Sequence, residues 1–376
     1  MKTCEALAKA GIEVNLLIPE RENYIKKDIF SFYGVERIFT VEYLSGFDFR
    51  KWEWWFKKGW FLLERLAVLY RLKKKKWEEG NIIYTREAEI AWVMAKKGLP
   101  VCYEAHTKPR WWKLHLWLVR QTVGIIAISR GLAGEYEAAN FFSKRVVVIP
   151  DGVDLEKFNL LVGEQELKFK IREELGLSAK KKIILYAGSF QKWKGVDCLI
   201  EAINELKVNP SEIQDKFYGV KLKIELVLAG NGPEEENLRL KVNKLRLRDE
   251  VVFMGFVERS KIPELMIAAD VLVLPNSGKE KISRVYTSPL KMFEYMAAGV
   301  PIVASDLPSI REVLNEEMAV LVKADDAGVM KRGIEKVLAG GREIEAMVKK
   351  NKELVKKYTW RRRAEGILCF INERKN

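Results

Sequence analysis

The chain has 376 residues, of which 48% are hydrophobic and 31% are charged. A hydrophobic core stops growing near ~250 to 300 residues, so this length predicts two domains, and the composition excludes a disordered protein. The formal net charge of +14 favours an anionic partner, namely nucleic acid, anionic lipid or a phosphorylated substrate. Abundant Lys and Glu beside only 2 His would suit a thermophile.

The sequence predicts no membrane span, metal site or disulfide. No apolar run reaches the ~18 to 20 residues that span a bilayer, and no signal peptide pattern opens the chain. We therefore expect a cytoplasmic location, with peripheral association at the inner face of the membrane left open. The 4 cysteines form no CxxC pair and acidic residues form no cluster at metal spacing, so no metal site is predicted.

The first half of the chain alternates helices and strands. It opens with a helical pattern that stops at Gly11, and five apolar strands follow the first one at 14–18: 37–41, 81–84, 101–104, 124–128 and 146–149. This alternation predicts a parallel sheet. A doubly wound domain normally opens with a strand and a Gly-rich turn. We therefore expect this domain to lack its first strand, either because Met1 is a start assigned too late or because the domain is truncated.

The stretch 50–77 interleaves Trp with Lys and Arg. Aromatic and cationic side chains together are typical of a helix that lies on an anionic membrane. An ordinary helix over 61–79, packed on the sheet and ending in lysines, explains the same composition. We favour the packed helix for 61–79 and the membrane surface for 50–60, which 110–113 would extend.

The turn-rich stretch 150–154 predicts the domain boundary. After it, six apolar strands are predicted at 182–187, 223–229, 250–254, 271–274, 301–304 and 319–322, again with helices between them. This pattern predicts a second parallel α/β domain.

Three strand exits of the second half have features that suit a phosphate-bearing ligand. Gly188 and Ser189 follow one strand, and Lys194 then enters a helix, where its charge could meet a diphosphate. Two other strands end in glycines at Gly230, Gly232 and Gly255. Taken singly, each is also explained by ordinary turn or core packing, which is the favoured interpretation for Gly230 and Gly232.

A fourth feature is more specific. Ser288 can cap a helix whose first position is Pro289, which leaves the N–H groups of Leu290 and Lys291 free to hold phosphate oxygens. Glu294 falls one to two turns into that helix, where its carboxylate could accept both ribose hydroxyls. Alternatively, Glu294 is an ordinary solvent-exposed residue of the helix.

Together and in this order, these stretches resemble the retaining glycosyltransferases of the family 4 type, also called glycosyl transferases group 1. The resemblance is carried by 150–154 with Phe158, 186–189 with 193–195, 230–233, 269–275 and 288–305. It implies the α/β fold called GT-B, in which two Rossmann-like doubly wound domains face a cleft. Here these would be 1–152, completed by a C-terminal helix at 356–376, and the nucleotide-sugar-binding domain 153–355.

The resemblance also implies roles for single residues. Lys194 would stabilise the leaving diphosphate, the helix near Ser288 would hold the same phosphates, and Glu294 would bind the ribose. His106, at the end of the strand 101–104, would lie beside the reacting carbon of the donor sugar, although a His after an apolar strand is also a common structural residue. The donor would be a UDP- or GDP-sugar, used as substrate without a separate cofactor or metal, and the acceptor a glycan or a lipid-linked molecule.

Two positions depart from the family pattern. Tyr286 stands where the family has the first of two Glu, and a phenol cannot accept several sugar hydroxyls as a carboxylate does. Ser189 stands where an Arg is common, which leaves Lys194 as the main predicted cation.

Other functions remain open. The absent first strand and Tyr286 suit a catalytically silent GT-B-like partner or scaffold of a membrane glycosylation enzyme. A nucleotide-sugar epimerase of the same fold is another alternative, but it should carry more active-site carboxylates than this sequence contains. No recognition motif accompanies the positive charge, so we expect no nucleic acid partner.

Overall fold

The computed structural model of the protein describes residues 1–20, 27–44, 60–139, 146–159, 165–208, 223–287 and 290–373. The chain divides into two compact units. Unit 1 consists of Met1–Pro150 and Trp360–Asn376, and unit 2 of Asp151–Thr359. Unit 1 is therefore made from both ends of the chain.

Unit 1 has two parallel sheets. In the first, β1 (Asn15–Pro19) pairs with β2 (Thr40–Leu44). The second contains, in sheet order, β3 (Ile83–Thr85), β4 (Val101–Ala105), β5 (Gly124–Ala127) and β6 (Val146–Val148). The predicted parallel pairing is confirmed for the described strands, which form two sheets because no described strand pairs with both β1 and β3.

One strand of unit 1 lies later in the chain than expected. β2 begins at Thr40, whereas the sequence predicted a strand at 37–41. Phe39 is buried and its ring centroid lies 5.1 Å from that of Phe30, in a small core that also holds Val35. Phe39 thus fills this core instead of pairing in the sheet.

Helices connect the strands of unit 1: Lys2–Lys9, Ile29–Tyr33, Trp60–Lys74, Ala88–Lys96, Trp112–Val119, Arg130–Glu137 and Trp360–Asn372. The helix expected over 61–79 ends at Lys74. Its last carbonyl groups accept hydrogen bonds from elsewhere, since Lys97 Nζ donates to Lys73 O at 2.7 Å and Trp77 Nε1 to Leu72 O at 3.2 Å. Nowhere in the described ranges is a helix both long and apolar enough to cross a bilayer.

The C-terminal helix is joined to unit 1 by a buried ion pair. Arg363 Nη2 donates to Glu104 Oε2 at 2.7 Å, and both side chains are almost fully buried. Arg363 Nη1 donates to the carbonyl oxygens of Ile149 and Pro150, each at 2.7 Å. These bonds compensate for the desolvation of both charges.

Unit 2 has one parallel sheet of six strands in the order β12-β11-β10-β7-β8-β9. In chain order the strands are β7 (Lys182–Ala187), β8 (Ile224–Ala229), β9 (Val251–Gly255), β10 (Val271–Leu274), β11 (Ile302–Ser305) and β12 (Val320–Val322). The sheet starts at β7, grows to β9 on one side and then continues from β10 on the other. This is the doubly wound order of Rossmann-like domains.

Both faces of this sheet are buried. Alternate residues of β7 point to opposite faces, so that Ile183 and Leu185 join one apolar cluster while Ile184 and Tyr186 join the other. Burial on both faces explains why the strands are continuous apolar runs. The helices are Leu155–Asn159, Gln165–Glu174, Val196–Val208, Glu235–Lys244, Ile262–Ala268, Leu290–Ala298, Pro308–Arg311, Ala327–Ala339 and Arg342–Leu354.

We predict that Arg363→Met lowers the free energy of unfolding of the chain by about 3 to 5 kcal/mol, because it leaves the Glu104 carboxylate buried without this partner. Guanidinium chloride unfolding followed by circular dichroism measures the change. Arg361→Met, on an exposed arginine of the same helix, serves as the control and should leave the unfolding midpoint unchanged. Equal midpoints for the two variants would contradict the role given to the buried pair.

Candidate functional site

The sheet order of unit 2 places a crevice at the carboxyl ends of β7 and β10. The chain leaves these neighbouring strands toward opposite sides, and ligands of open α/β sheets bind at such a switch point. The loops after the two strands touch, since Ser277 N donates to Trp193 O at 3.0 Å. A Cβ at Gly195 would lie 2.0 Å from Pro275 O, so this contact requires glycine. The candidate site is built at this edge.

Backbone hydrogen bonds join the loops after β7, β8 and β9. Gly188 N donates to Ala229 O at 2.8 Å, and Gly230 N donates to Gly255 O at 2.7 Å. The structure thus brings Gly188, Gly230 and Gly255 together at the predicted edge. The amide hydrogens of Gly188 and Gly230 are occupied in these bonds, so phosphate contacts require other donors.

Close packing also explains two of the glycines. Gly230 has φ +135°, and a Cβ there would lie 2.1 Å from Gly188 O. A Cβ at Gly232 would lie 2.6 Å from Phe190 N. Both residues let the backbones of two loops approach each other, and direct ligand contact by either stays a prediction.

Lys194 lies at the end of a short 3₁₀ helix, Lys192–Lys194, that the left-handed residue Gly195 closes. Its side chain is buried, and Nζ lies 3.9 Å from the centroid of the Trp193 ring. Burial lowers the pKa of the Lys194 amine to about 8. The Lys194 amine is therefore buried at this edge of the sheet instead of being solvated.

Lys291 is a second buried lysine at the same edge. It is the second residue of the Leu290–Ala298 helix, and its Nζ lies 3.9 Å from the centroid of the Tyr186 ring. A Cβ at Gly188 would lie 2.4 Å from this Nζ, so the amine sits directly against the loop after β7. The sequence interpretation used only the backbone N–H of Lys291. A lysine followed by the buried residues Met292 and Phe293 was the available signal for an inward-pointing amine.

Glu294 lies three residues beyond Lys291 on the same helix. Burial raises the pKa of its carboxyl group, while the charges of Arg259, Lys291 and Lys157 lower it. Arg259 and Lys157 were not predicted as site residues, and only their proximity in the fold reveals them. A carboxylate near three cations can accept hydrogen bonds from a ligand's hydroxyl groups.

Four other residues of the second half were predicted to belong to the site, namely Ser189, Tyr286, Ser288 and Leu290. Ser288 falls outside the described residues, and Leu290 is the first residue of the described helix. Tyr286 is buried at the end of a short π-helix, Ile282–Tyr286, with Lys281 Nζ 5.2 Å from its ring centroid. Ser189 contributes its carbonyl oxygen to a hydrogen bond from the Tyr186 hydroxyl at 2.9 Å. Ligand contacts by these four residues stay predictions.

His106 belongs to unit 1, at the carboxyl end of β4. Its Nε2 is hydrogen-bonded to Oε1 of the buried Glu104, which also accepts from Arg86 at 2.7 Å. The ring is thus oriented by an acidic neighbour two residues earlier, and its catalytic role stays a prediction. The second histidine, His115, is buried, and its Nε2 lies 2.7 Å from the Tyr136 hydroxyl oxygen. Burial lowers the pKa of His115 to about 4.

Comparison with known families identifies both halves of the chain. The sequence model described as Glycosyltransferase Family 4 matches residues 1–157, and that described as Glycosyl transferases group 1 matches residues 168–354. The chain belongs to the GT-B glycosyltransferases of the group 1 and family 4 type. The predicted family and fold class are therefore confirmed.

Individual GT-B relatives match parts of the chain. An uncharacterised glycosyltransferase of Methanocaldococcus jannaschii is 27% identical over 63% of this chain and 56% of its own length. The α-monoglucosyldiacylglycerol synthase of Streptococcus pneumoniae is 25% identical over 51% of this chain and 38% of its own. The chain thus spans about half the length of the curated relatives it matches.

Solved structures align with this protein over nearly its whole length. Anabaena HepE in complex with UDP and glucose aligns with a TM-score of 0.74 at 17% identity, covering 99% of this chain and 95% of that one. Sucrose-phosphate synthase from Thermosynechococcus elongatus aligns with a TM-score of 0.73 at 18% identity, covering 99% and 91%. At these identities the likeness shows the fold alone.

We predict that Gly230→Ala destabilises the chain by about 3 kcal/mol or more, because the added Cβ combines an unfavourable φ with an overlap on the Gly188 carbonyl. Denaturant unfolding measures the loss. Gly176→Ala is the matched control, since Gly176 has φ +66° with open space around it and should cost only about 1 kcal/mol. If both variants cost the same, steric overlap is not what requires glycine at 230.

Proposed function

We propose that the chain is a retaining glycosyltransferase that moves a sugar from a UDP- or GDP-sugar to a glycan or lipid-linked acceptor. The observation that carries the proposal is the pair of buried lysines, Lys194 and Lys291, beside Glu294 at the switch point of unit 2. Two cations beside a carboxylate suit a nucleoside diphosphate, whose phosphates need positive charge and whose ribose needs a hydrogen-bond acceptor. HepE, a structural neighbour, is described in complex with UDP and glucose.

The reaction breaks the bond between the sugar's anomeric carbon and the phosphate oxygen. The bonding electron pair leaves with the diphosphate, the acceptor hydroxyl oxygen bonds to the carbon, and its proton is released. Lys194 would stabilise the charge that grows on the leaving group, within a buried site where such interactions are strong. Retention of configuration is inferred from the family resemblance.

Unit 1 supports an acceptor at a membrane surface. Leu62, Leu66 and Tyr70, spaced one turn apart on the Trp60–Lys74 helix, are 62%, 54% and 62% exposed. Such a stripe of apolar side chains faces away from the core. Residues 50–59 of the predicted membrane segment lie outside the described residues, and the Trp60 side chain is likewise not described.

A neighbouring helix, Trp112–Val119, adds to this surface. Trp111 at its start is 74% exposed, and Leu114 and Trp117 are also exposed. Both helices pack against the Ala88–Lys96 helix. Arg120 lies over the Trp117 ring, and Arg71, Lys73 and Lys74 lie in the last turn of the first helix. Aromatic and aliphatic side chains edged by cations complement an anionic bilayer.

Tyr286 supports one alternative, a catalytically silent partner or scaffold of a membrane glycosylation enzyme. A buried phenol replaces a carboxylate of the family pattern, so the contacts to the donor sugar must differ. Such a protein would bind a nucleoside diphosphate but would not cleave any nucleotide-sugar.

We predict that Lys194→Ala lowers kcat/KM by about 100-fold or more, since it removes the cation beside the leaving group. Release of UDP or GDP from a panel of UDP- and GDP-sugars measures the rate, and a thermal shift with each nucleoside diphosphate measures binding. Lys192→Ala, on the exposed lysine of the same 3₁₀ helix, should retain the wild-type rate. A Lys194→Ala enzyme as fast as wild type would remove Lys194 from the mechanism, and binding without turnover in the wild type would favour the silent partner.

For the membrane surface, we predict that Leu66→Glu combined with Trp111→Glu weakens binding to anionic vesicles by about 10-fold or more, because two inserted side chains become charged. Co-sedimentation with phosphatidylglycerol vesicles at low and high salt measures binding. Leu240→Glu, on an equally exposed leucine of unit 2, is the control and should bind like wild type. Wild-type protein that stays in the supernatant at low salt would refute a membrane surface here.

A further inference from the structure

The Lys291 amine has an unusual environment. The residue is only 9% exposed, and no hydrogen-bond partner of its Nζ is found among the described residues. A buried amine without a partner costs free energy, because folding strips its water without replacing it. An ordinary structural lysine would instead snorkel to solvent or pair with a carboxylate. The arrangement suits a group that receives its partner from outside the chain.

The geometry indicates what that partner is. Nζ lies against Gly188 at the carboxyl end of β7, and it belongs to the first turn of the Leu290–Ala298 helix. The first turn of a helix carries free N–H groups and the positive end of the helix dipole, both of which favour anions. Lys194 is close enough for its charge to act on Lys291. Three sources of positive potential thus meet at one place.

We propose that the Lys291 side chain is a second cation for the donor diphosphate, and that it takes up a proton each time the diphosphate binds. This inference rests on the proposed function and adds to it a residue role and a proton. It also differs from the expectation for Lys291, which concerned only the backbone amide.

The charged groups around the amine support proton uptake. Burial and the charge of Lys194 hold the pKa of the Lys291 amine well below its ordinary value, and Glu294 on the same helix opposes them. Tyr186, whose ring faces Nζ, remains a neutral phenol because burial raises its pKa. Arg259 and Lys157 act on Glu294 from two other elements.

The proton balance has a definite sign. In the unliganded site burial lowers the pKa of both amines, that of Lys194 to about 8 and that of Lys291 well below its ordinary value. A bound diphosphate favours the charged form of both amines. UDP itself is fully ionised at this pH, since the last phosphate pKa is near ~6. Binding should therefore draw protons from the buffer onto the protein, and affinity should fall as pH rises above 8.

Isothermal titration calorimetry with UDP at pH 8 tests the inference. Titrations in Tris and in HEPES, whose ionisation enthalpies differ, give the number of protons taken up from the difference in heat. We expect proton uptake by the wild type, less proton uptake by Lys291→Met, and UDP binding weakened by about 10- to 100-fold in that variant. Lys192→Met, on an exposed lysine nearby, should reproduce the wild-type proton count and affinity.

Unfolding of the unliganded proteins separates a ligand role from a structural one. Methionine has a similar length and no polar group, so Lys291→Met should raise the melting temperature of the unliganded chain or leave it unchanged. UDP should then stabilise this variant less than it stabilises the wild type. A lower melting temperature without ligand, together with an unchanged response to UDP, would assign Lys291 to the core and overturn the proposal.

Failure of the inference and failure of the proposed function give different results. Wild-type protein that binds UDP with no proton uptake, or a Lys291→Met variant with wild-type proton count and affinity, would overturn the inference alone. Wild-type protein that binds none of UDP, GDP, ADP and CDP would overturn the proposed function and this inference with it.

Discussion

The candidate site depends on two lysine amines that the fold keeps out of water. Transfer of a charged amine into a protein interior costs several kcal/mol unless an opposite charge compensates for it. Lys194 rests on the Trp193 ring and Lys291 on the Tyr186 ring, and an aromatic face compensates for only part of that cost. Protonation of these amines is therefore unfavourable in the unliganded site, and a bound anion makes it favourable. Buried Arg172, by contrast, donates to the Asp270 carboxylate at 2.7 Å and stabilises unit 2 without a ligand.

The loops that carry these lysines are held by backbone contacts. Hydrogen bonds from Gly188 to Ala229 and from Gly230 to Gly255 connect three strand ends, and Gly195 lies against Pro275. A site fixed by main-chain bonds keeps its shape when side chains vary, which suits a family that exchanges sugars and acceptors on one scaffold. It also limits how far the loops can move to meet a ligand, so the amines must already be in position before the donor arrives. Preorganisation of this kind is the main source of electrostatic catalysis.

The sequence predicts the strands of unit 2 closely because they are buried on both faces. β7 and β10 have the predicted bounds, and the glycines at strand ends mark the edge where the site lies. Prediction was weaker where tertiary contacts override local pattern. Lys97 caps the Trp60–Lys74 helix early, and Phe39 packs in a core instead of a strand. The Lys291 amine was missed for the same reason, since only the fold brings Tyr186 and Gly188 against it.

The replacement of a family carboxylate by Tyr286 fits this electrostatic picture. Lys194 acts on the Lys291 amine, and Arg259 and Lys157 act on Glu294, so cationic side chains outnumber carboxylates around the unliganded site. A second glutamate would neutralise part of that positive potential while adding an acceptor for sugar hydroxyls. With a phenol in its place, the site keeps a stronger attraction for the diphosphate and gives up one strong acceptor for the sugar. Recognition of the donor should accordingly rest more on its nucleoside diphosphate than on the hydroxyl pattern of its sugar.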